Sequence, residues 1–297
     1  MTTPPIVTLP IPPFGELQRR DPPRIAASLS MPLTDARREV DVLLTRASNV
    51  TLAHVMAHPE IRPDPRGYLV YSDWLERRLK GEPVAYLLGY REFYGLDFKV
   101  SPAVLIPRPE TELLVELALE RVADGRAPSI LDLGTGSGCI AVTLAKLRPL
   151  ARIVAVDVSP EALAVARENA AQHGVGHIEF REGNWFAPVA GRRFDLVVAN
   201  PPYVGESDPH IGIGDPRFEP RTALAAGSDG LEMLRNIVAD APNHLCAAGT
   251  LFLEHGYNQA VDVRALLKRQ GFVDVATRVD LGGIPRVSLG RWLTLTS

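Results

Sequence analysis

The spacing of apolar residues changes character along the chain. From about Thr34, Val40, Leu43, Leu44 and Ala47 recur at three- and four-residue steps, which makes one apolar face of a helix. Thr34 and Asp35 are the candidate caps. A shorter helix is expected over 51–57 and a third over 66–80. From Ser129 the helical spacing gives way to short apolar runs. Strands are expected at Ile130–Leu133, Ile153–Val156, Ile178–Arg181, Leu196–Ala199 and Thr250–Leu253. Helices are expected between and after them, at Ile140–Leu147, Pro160–His173, Leu231–Leu245 and Gln259–Gln270. Such alternation predicts a mostly parallel sheet covered on both faces. Val273–Val279 and Arg286–Leu293 are both extended and meet through Gly282-Gly283. A hairpin there completes seven strands and adds an antiparallel edge strand.

Four segments follow from this pattern. Residues 1–24 are rich in proline and read as a flexible tail, since proline removes a backbone donor and blocks helices. Residues 25–82 form a small helical domain. Residues 83–109 are a connector punctuated by Pro83, Gly89 and Gly95, with a short hairpin suggested by Phe93-Tyr94 and Phe98-Lys99-Val100. A helix over 110–122 then opens an α/β domain that runs from 110 to 297.

Composition narrows the function. With 46% apolar residues among 297 the chain has material for a packed core. Its formal net charge of −3 gives no overall electrostatic footprint for nucleic acid, and no direct nucleic-acid partner is expected. Cys139 and Cys246 have neither metal-ligand spacing nor the makings of a disulfide framework, which fits a reducing cytoplasm. No apolar run approaches the roughly 20 residues that span a bilayer, so no membrane association is expected. A signal peptide is not expected either.

Two motifs carry the chemistry. The first expected strand runs into Asp132-Leu133-Gly134-Thr135-Gly136-Ser137-Gly138 and then a helix. Glycines permit a sharp turn and close approach to a ligand, and the amides at the helix start are expected to face it. The second strand ends in Asp157, 23 positions on from Gly134, where a carboxylate can accept both ribose hydroxyls. A dinucleotide site requires G-x-G-x-x-G, and its third glycine falls here on Cys139. The spacing G-x-G-x-G resembles instead the class I methyltransferases, with S-adenosylmethionine as cofactor. Cys139 reads as a small helix-start residue.

The second motif, Asn200-Pro201-Pro202-Tyr203, follows the fourth strand. Ligands in open α/β sheets bind at that carboxyl edge. An amide nitrogen shares its lone pair with the carbonyl and is a poor nucleophile. Its two N–H donors need two acceptors, which the Asn200 side-chain oxygen and the Pro201 carbonyl can provide. The prolines keep this backbone stiff and add no competing donor. Tyr203 can stack on the flat group. Holding the nitrogen about 3 Å from the methyl supplies rate by proximity, and the two oxygens stabilise the positive charge that develops. No metal enters this scheme. The same motif suits a nucleic-acid base amine, which would have to be flipped out of its duplex. An oxidoreductase with a dinucleotide is a further alternative, and a catalytically silent binding module the last.

From about residue 33 to 292 the chain resembles the release-factor glutamine methyltransferase family, also called the HemK family. The resemblance rests on the two motifs and on Pro83-Val84-Ala85-Tyr86-Leu87-Leu88-Gly89, Phe93-Tyr94-Gly95, Asp208-Pro209-His210, Arg217-Phe218-Glu219-Pro220 and Leu253-Glu254-His255-Gly256. Ile106-Pro107-Arg108-Pro109-Glu110-Thr111-Glu112 is its most specific string. The resemblance implies a class I, Rossmann-like fold with an amino-terminal helical domain that docks a peptide chain release factor. It implies methylation of the glutamine in that factor's Gly-Gly-Gln motif by a cytoplasmic enzyme, expected to be a monomer. It assigns Gly134, Thr135, Gly136, Ser137, Gly138, Asp157, Trp185 and Asn200 to the cofactor. It assigns Asn200, Pro201, Pro202 and Tyr203 to the glutamine, with Asn200, Pro201 and Tyr203 catalytic. One departure stands out: Pro22-Pro23 interrupt the stretch where the family has a continuous first helix.

Overall fold

The computed structural model describes residues 10–122, 127–206, 208 and 212–293. The chain divides into two compact units, with the boundary between Leu88 and Gly89.

The amino-terminal unit is helical: α1 (Phe14–Leu29), α2 (Leu33–Ser48), α3 (Leu52–Ala57), α4 (Pro65–Leu79) and α5 (Val84–Leu88). The expected tail is thus corrected from Phe14 onward, because α1 passes through Pro22 and Pro23 without ending. These prolines deprive the helix of two internal donors, a cost that local propensity alone would not carry. Packing overrides it, since Phe14, Leu17 and Ile25 anchor both sides of the prolines in the same core as Val40, Leu43, Leu44 and Tyr71. Between those anchors the fully buried Asp21 accepts hydrogen bonds from Tyr71 Oη at 2.8 Å and from Arg20 and Arg24. No side chain caps the start of α1; its Phe14 and Gly15 N–H groups donate instead to the carbonyls of Ile61 and Pro59. Nor do Thr34 and Asp35 cap α2, whose N-cap is Pro32. Thr51 caps α3, and Asp64 caps α4 with Pro65 in the first turn.

The second unit begins with the hairpin β1 (Tyr90–Phe93) and β2 (Leu96–Lys99), turned by Tyr94-Gly95, both at positive φ. A 3-10 turn over Pro109–Thr111 leads into α6 (Glu112–Arg121). Then come β3 (Ser129–Leu133), α7 (Cys139–Leu147), β4 (Arg152–Asp157), α8 (Pro160–Gln172), β5 (Glu179–Glu182) and β6 (Phe194–Ala199). The series closes with α9 (Glu232–His244), β7 (Leu245–Glu254), α10 (Ala260–Gln270), β8 (Val273–Val279) and β9 (Pro285–Arg291).

The seven strands lie in the order β5-β4-β3-β6-β7-β9-β8, parallel from β5 through β7. Side chains alternate between two cores along each strand. Ile130, Ile153, Leu196 and Phe252 pack with α6 and α7; Leu131, Val154, Val197 and Leu251 pack with α9 and α10. The expected antiparallel edge strand is corrected in one respect. The antiparallel strand is β9, which sits between β7 and β8, so the edge belongs to β8. Chain order diverges between β3 and β6, and at such a switch point the carboxyl ends of the strands open a crevice.

Candidate active site

The sheet register sets five strand ends side by side. Leu133 pairs with Val156 on one flank and with Ala199 on the other, Asp157 pairs with Glu182, and Ala199 pairs with Leu253. The next residue on each strand end is therefore a neighbour of the others: Gly134 stands between Asp157 and Asn200, and Glu254 follows on beyond Asn200. A cavity of about 490 Å³ opens here, a size suited to a small-molecule ligand.

The glycine loop is held by its own backbone. Gly134 and Thr135 N–H both donate to the Val156 carbonyl, at 2.9 and 3.0 Å, Gly138 N–H donates to Thr135, and Gly136 N–H donates to Asp157 Oδ2 at 2.8 Å. The expectation that the amides at the helix start face a ligand is thereby corrected for Gly138, the N-cap of α7. A loop with its N–H groups so occupied is poorly suited to cradling a pyrophosphate, which disfavours the dinucleotide alternative. Asp132 stands behind the loop, fully buried, and accepts the Thr135 hydroxyl at 2.6 Å. Burial pushes its carboxyl up to about 7, against the Thr135 bond and with a further push from Asp157.

The groups around the cavity fit S-adenosylmethionine. Asp157 Oδ1 accepts Ser159 N–H and Oδ2 accepts Gly136 N–H, and the carboxylate keeps acceptor capacity for a ribose hydroxyl. Burial raises its pKa, opposed by backbone bonds from Ser159, Gly136 and Val158. Trp185, at a left-handed φ of 45°, brings its ring to the cavity wall beside Gly134, 3.5 Å from where a β-carbon there would sit. Thr135, Gly136, Ser137, Asn200 and Pro202 also line the cavity.

Three assigned residues do not line it. Gly138, at φ +80°, instead lets α7 approach α8: a β-carbon there would lie 3.1 Å from that of Ala166. Pro201 is buried, and the partly buried Tyr203 packs against the second core of the sheet. The Tyr203 carbonyl accepts Gln259 Nε2 at 3.0 Å. Burial raises the pKa of its hydroxyl, as does Glu254, while Arg286 and Arg108 oppose this. Cys139, the first residue of α7, is buried and its thiol is pushed up to about 12, so it is no nucleophile.

Further groups stand around these residues. Asn200 Nδ2 donates to Thr111 Oγ1 at 3.1 Å. Buried Glu219 accepts Ile106 N–H at 3.1 Å and Arg108 Nη2 at 2.5 Å, tying the segment before α6 to the long loop after β6. Glu219 is raised by burial and drawn back by Arg108. Glu110 lies 4.0 Å from Arg286. His255 is buried between Ser288 and the Gly256 carbonyl, a structural setting that lowers its pKa by desolvation. For Thr111 and Glu219 the sole advance signal was membership of the resemblance strings; Glu254 also directly follows the strand expected at Thr250–Leu253.

Comparison with known proteins agrees with this geometry. Residues 26–89 match the PrmC N-terminal domain family, and residues 109–216 match the Methyltransferase small domain family. The release factor glutamine methyltransferase of Pseudomonas aeruginosa is 48% identical over 257 residues, covering 86% of this chain and 93% of that protein. That of Vibrio cholerae is 45% identical over 264 residues, covering 82% and 88%. The solved methyltransferase from Pyrococcus furiosus shares the fold with a TM-score of 0.53 at 18% identity, over 75% of this chain and all of that one. The hMettl16 catalytic domain, in complex with MAT2A 3'UTR hairpin 1, gives 0.56 at 18% identity, over 72% of this chain and 79% of that one. The extent and identity of the curated matches place this chain in the release factor glutamine methyltransferase family.

Proposed function

We propose that this enzyme transfers a methyl group from S-adenosylmethionine to the side-chain amide nitrogen of the glutamine in the Gly-Gly-Gln motif of a peptide chain release factor. The observation that carries the reading is the pairing of Leu133 with Ala199, which makes the starts of the glycine loop and of Asn200-Pro201-Pro202-Tyr203 immediate neighbours on one edge of the sheet. S-adenosylmethionine, when bound, supplies an electrophilic methyl carbon. The protein's part is to hold the glutamine amide still and to favour positive charge on its nitrogen. Asn200 lines the cavity and accepts one substrate N–H through Oδ1; the Pro201 carbonyl accepts the other. Asp157 and Trp185 hold the nucleoside, and Gly134 to Ser137 shape the floor beneath it. Acceptor oxygens fixed ahead of the reaction need little reorganisation as charge develops. Tyr203 is assigned to the glutamine side, supporting the loop rather than walling the cavity.

The amino-terminal unit is assigned the docking of the factor. Met56 and Leu69 are apolar side chains there with 68% and 69% exposure. Among the described residues no helix is long and apolar enough to cross a membrane, in keeping with a protein partner met away from the bilayer.

The test is incubation with isotopically labelled S-adenosylmethionine and candidate release factors, followed by mass spectrometry. Label is expected on the glutamine of the Gly-Gly-Gln peptide. Label in added RNA or DNA, with none in the factor, would replace this reading by the base-methylation alternative.

A further inference from the structure

The carboxamide of Asn200 serves the proposed reaction in only one of its two orientations. With Oδ1 toward the substrate it accepts an N–H; turned over, it sets its own NH2 against the NH2 of the glutamine. The two ends are nearly isosteric, so the choice must come from hydrogen-bond partners. Those partners lie far off in sequence. Thr111, in the 3-10 turn before α6, is 2% exposed and its Oγ1 accepts Asn200 Nδ2 at 3.1 Å. Glu254 ends β7 beside the end of β6, and it is 1% exposed. Thr111 and Asn200 side chains both hydrogen-bond to its carboxyl, while its Oε2 has no partner among the described residues.

The polarity of this cluster is determined by proton count. An ionised carboxylate only accepts, so Asn200 meets Glu254 with nitrogen rather than oxygen. The Thr111 hydroxyl has a single proton; with its oxygen taking Asn200 Nδ2, that proton is free to go to Glu254. Both N–H groups of Asn200 thus have acceptors inside the protein, and Oδ1 is the end that remains. We propose that Thr111 and Glu254 are positioning residues that fix the Asn200 carboxamide with its oxygen toward the substrate amide. The inference rests on the role given to Asn200 above.

The arrangement carries a pH dependence. Burial pushes the Glu254 carboxyl up to about 7; bonds from Thr111 and Asn200 and the charge of Arg286 oppose that shift, and Glu110 adds to it. Tyr203 and Cys139, the other titratable groups that feel Glu254, both have raised pKa values and stay neutral. Below about pH 7 Glu254 gains a proton and becomes a donor, which favours the turned-over Asn200. Turnover therefore falls as pH drops through that range and is full above it.

The test is steady-state methylation of a release factor by Thr111→Val, Thr111→Ser, Glu254→Gln, Asn200→Ala and the double variant Asn200→Ala/Thr111→Val. Cofactor affinity is measured in parallel by calorimetry. Thr111→Val is expected to lower kcat about 10- to 100-fold with unchanged cofactor affinity, the scale of a misplaced catalytic group. Thr111→Ser should recover most of it. Glu254→Gln should lower kcat and flatten its acid limb; a limb that persists belongs to Asp132 or Asp157 and overturns the assignment of Glu254. On the Asn200→Ala background Thr111→Val should have no further effect, since the coupling is with that side chain. Near wild-type kcat in Thr111→Val and Glu254→Gln, with Asn200→Ala inactive, would remove the positioning roles and leave Asn200 standing. Near wild-type kcat in Asn200→Ala would remove both. Loss of cofactor binding in Thr111→Val and in Thr111→Ser alike would assign Thr111 to the scaffold and overturn its role.

Discussion

The two walls of the cavity are built on different principles. On the cofactor wall the bonds are short in sequence or follow directly from strand pairing: Thr135 to Asp132 across three positions, Ser159 to Asp157 across two, Gly136 to Asp157 across 21. On the acceptor wall they are long. Asn200 reaches Thr111 across 89 positions, Glu219 reaches Ile106 across 113, and Gln259 reaches the Tyr203 carbonyl across 56. One wall is a local code carried by a strand–turn–helix unit. The other is an assembly whose parts acquire meaning only once the chain has folded.

Substitutions on the two walls should separate binding from turnover. Asn200→Ala should give the largest effect, a fall in kcat of about 10²- to 10³-fold, comparable to the loss of a preorganised charge-stabilising group. Its cofactor affinity by calorimetry should stay within a few-fold of wild type; a loss confined to affinity would show that the walls are not distinct. Asp157→Ala should come next. On the proposed assignment it removes the charge-assisted bonds to the ribose as well as the ties to Gly136 and Ser159, so the dissociation constant for S-adenosylmethionine should rise about tenfold to a hundredfold. Unchanged affinity would withdraw Asp157 from the cofactor. The smallest effect should come from Gly138→Ala. A methyl group at φ +80° and 3.1 Å from Ala166 should cost about 1–3 kcal/mol of stability, read as a lowered Tm, with cofactor affinity in the folded protein little changed. A variant as stable as wild type would show that α7 and α8 can separate freely.

How much of this was legible in the sequence follows the same division. Gly134, Asp157 and Asn200 could be placed in one crevice because each directly follows an apolar strand, and parallel pairing brings strand ends together. Trp185 was assigned through the family resemblance, and the structure puts its ring on the cavity wall. The amide of Gly138 at the helix start was misread because the loop folds back on itself and the Thr135 carbonyl takes it. Gly138 looked like its neighbours in the motif, yet it meets α8, which a linear spacing does not reveal. Glu254 shares the strand-end signal, but nothing in the spacing links it to Thr111 or Asn200. In the amino-terminal unit α2, α3 and α4 announced themselves, α2 by its apolar period though not by its cap, while α5 falls within the expected connector. Helix α1 did not, because its start is capped by carbonyls from 59 and 61 and its prolines are overridden by tertiary packing. Prolines decide local propensity, and where a core holds both flanks local propensity loses.

The place of β9 has a consequence for how the molecule is made. Until Pro285–Arg291 leave the ribosome, β8 has no sheet partner and the outer edge of β7 stays open, since β9 bridges the two. A nascent chain halted before that point exposes a ten-residue strand, Leu245–Glu254, which carries the apolar run Leu251-Phe252-Leu253 and can recruit a foreign strand. Synthesis of the last hairpin is thus the step that converts a sticky intermediate into the complete seven-stranded sheet.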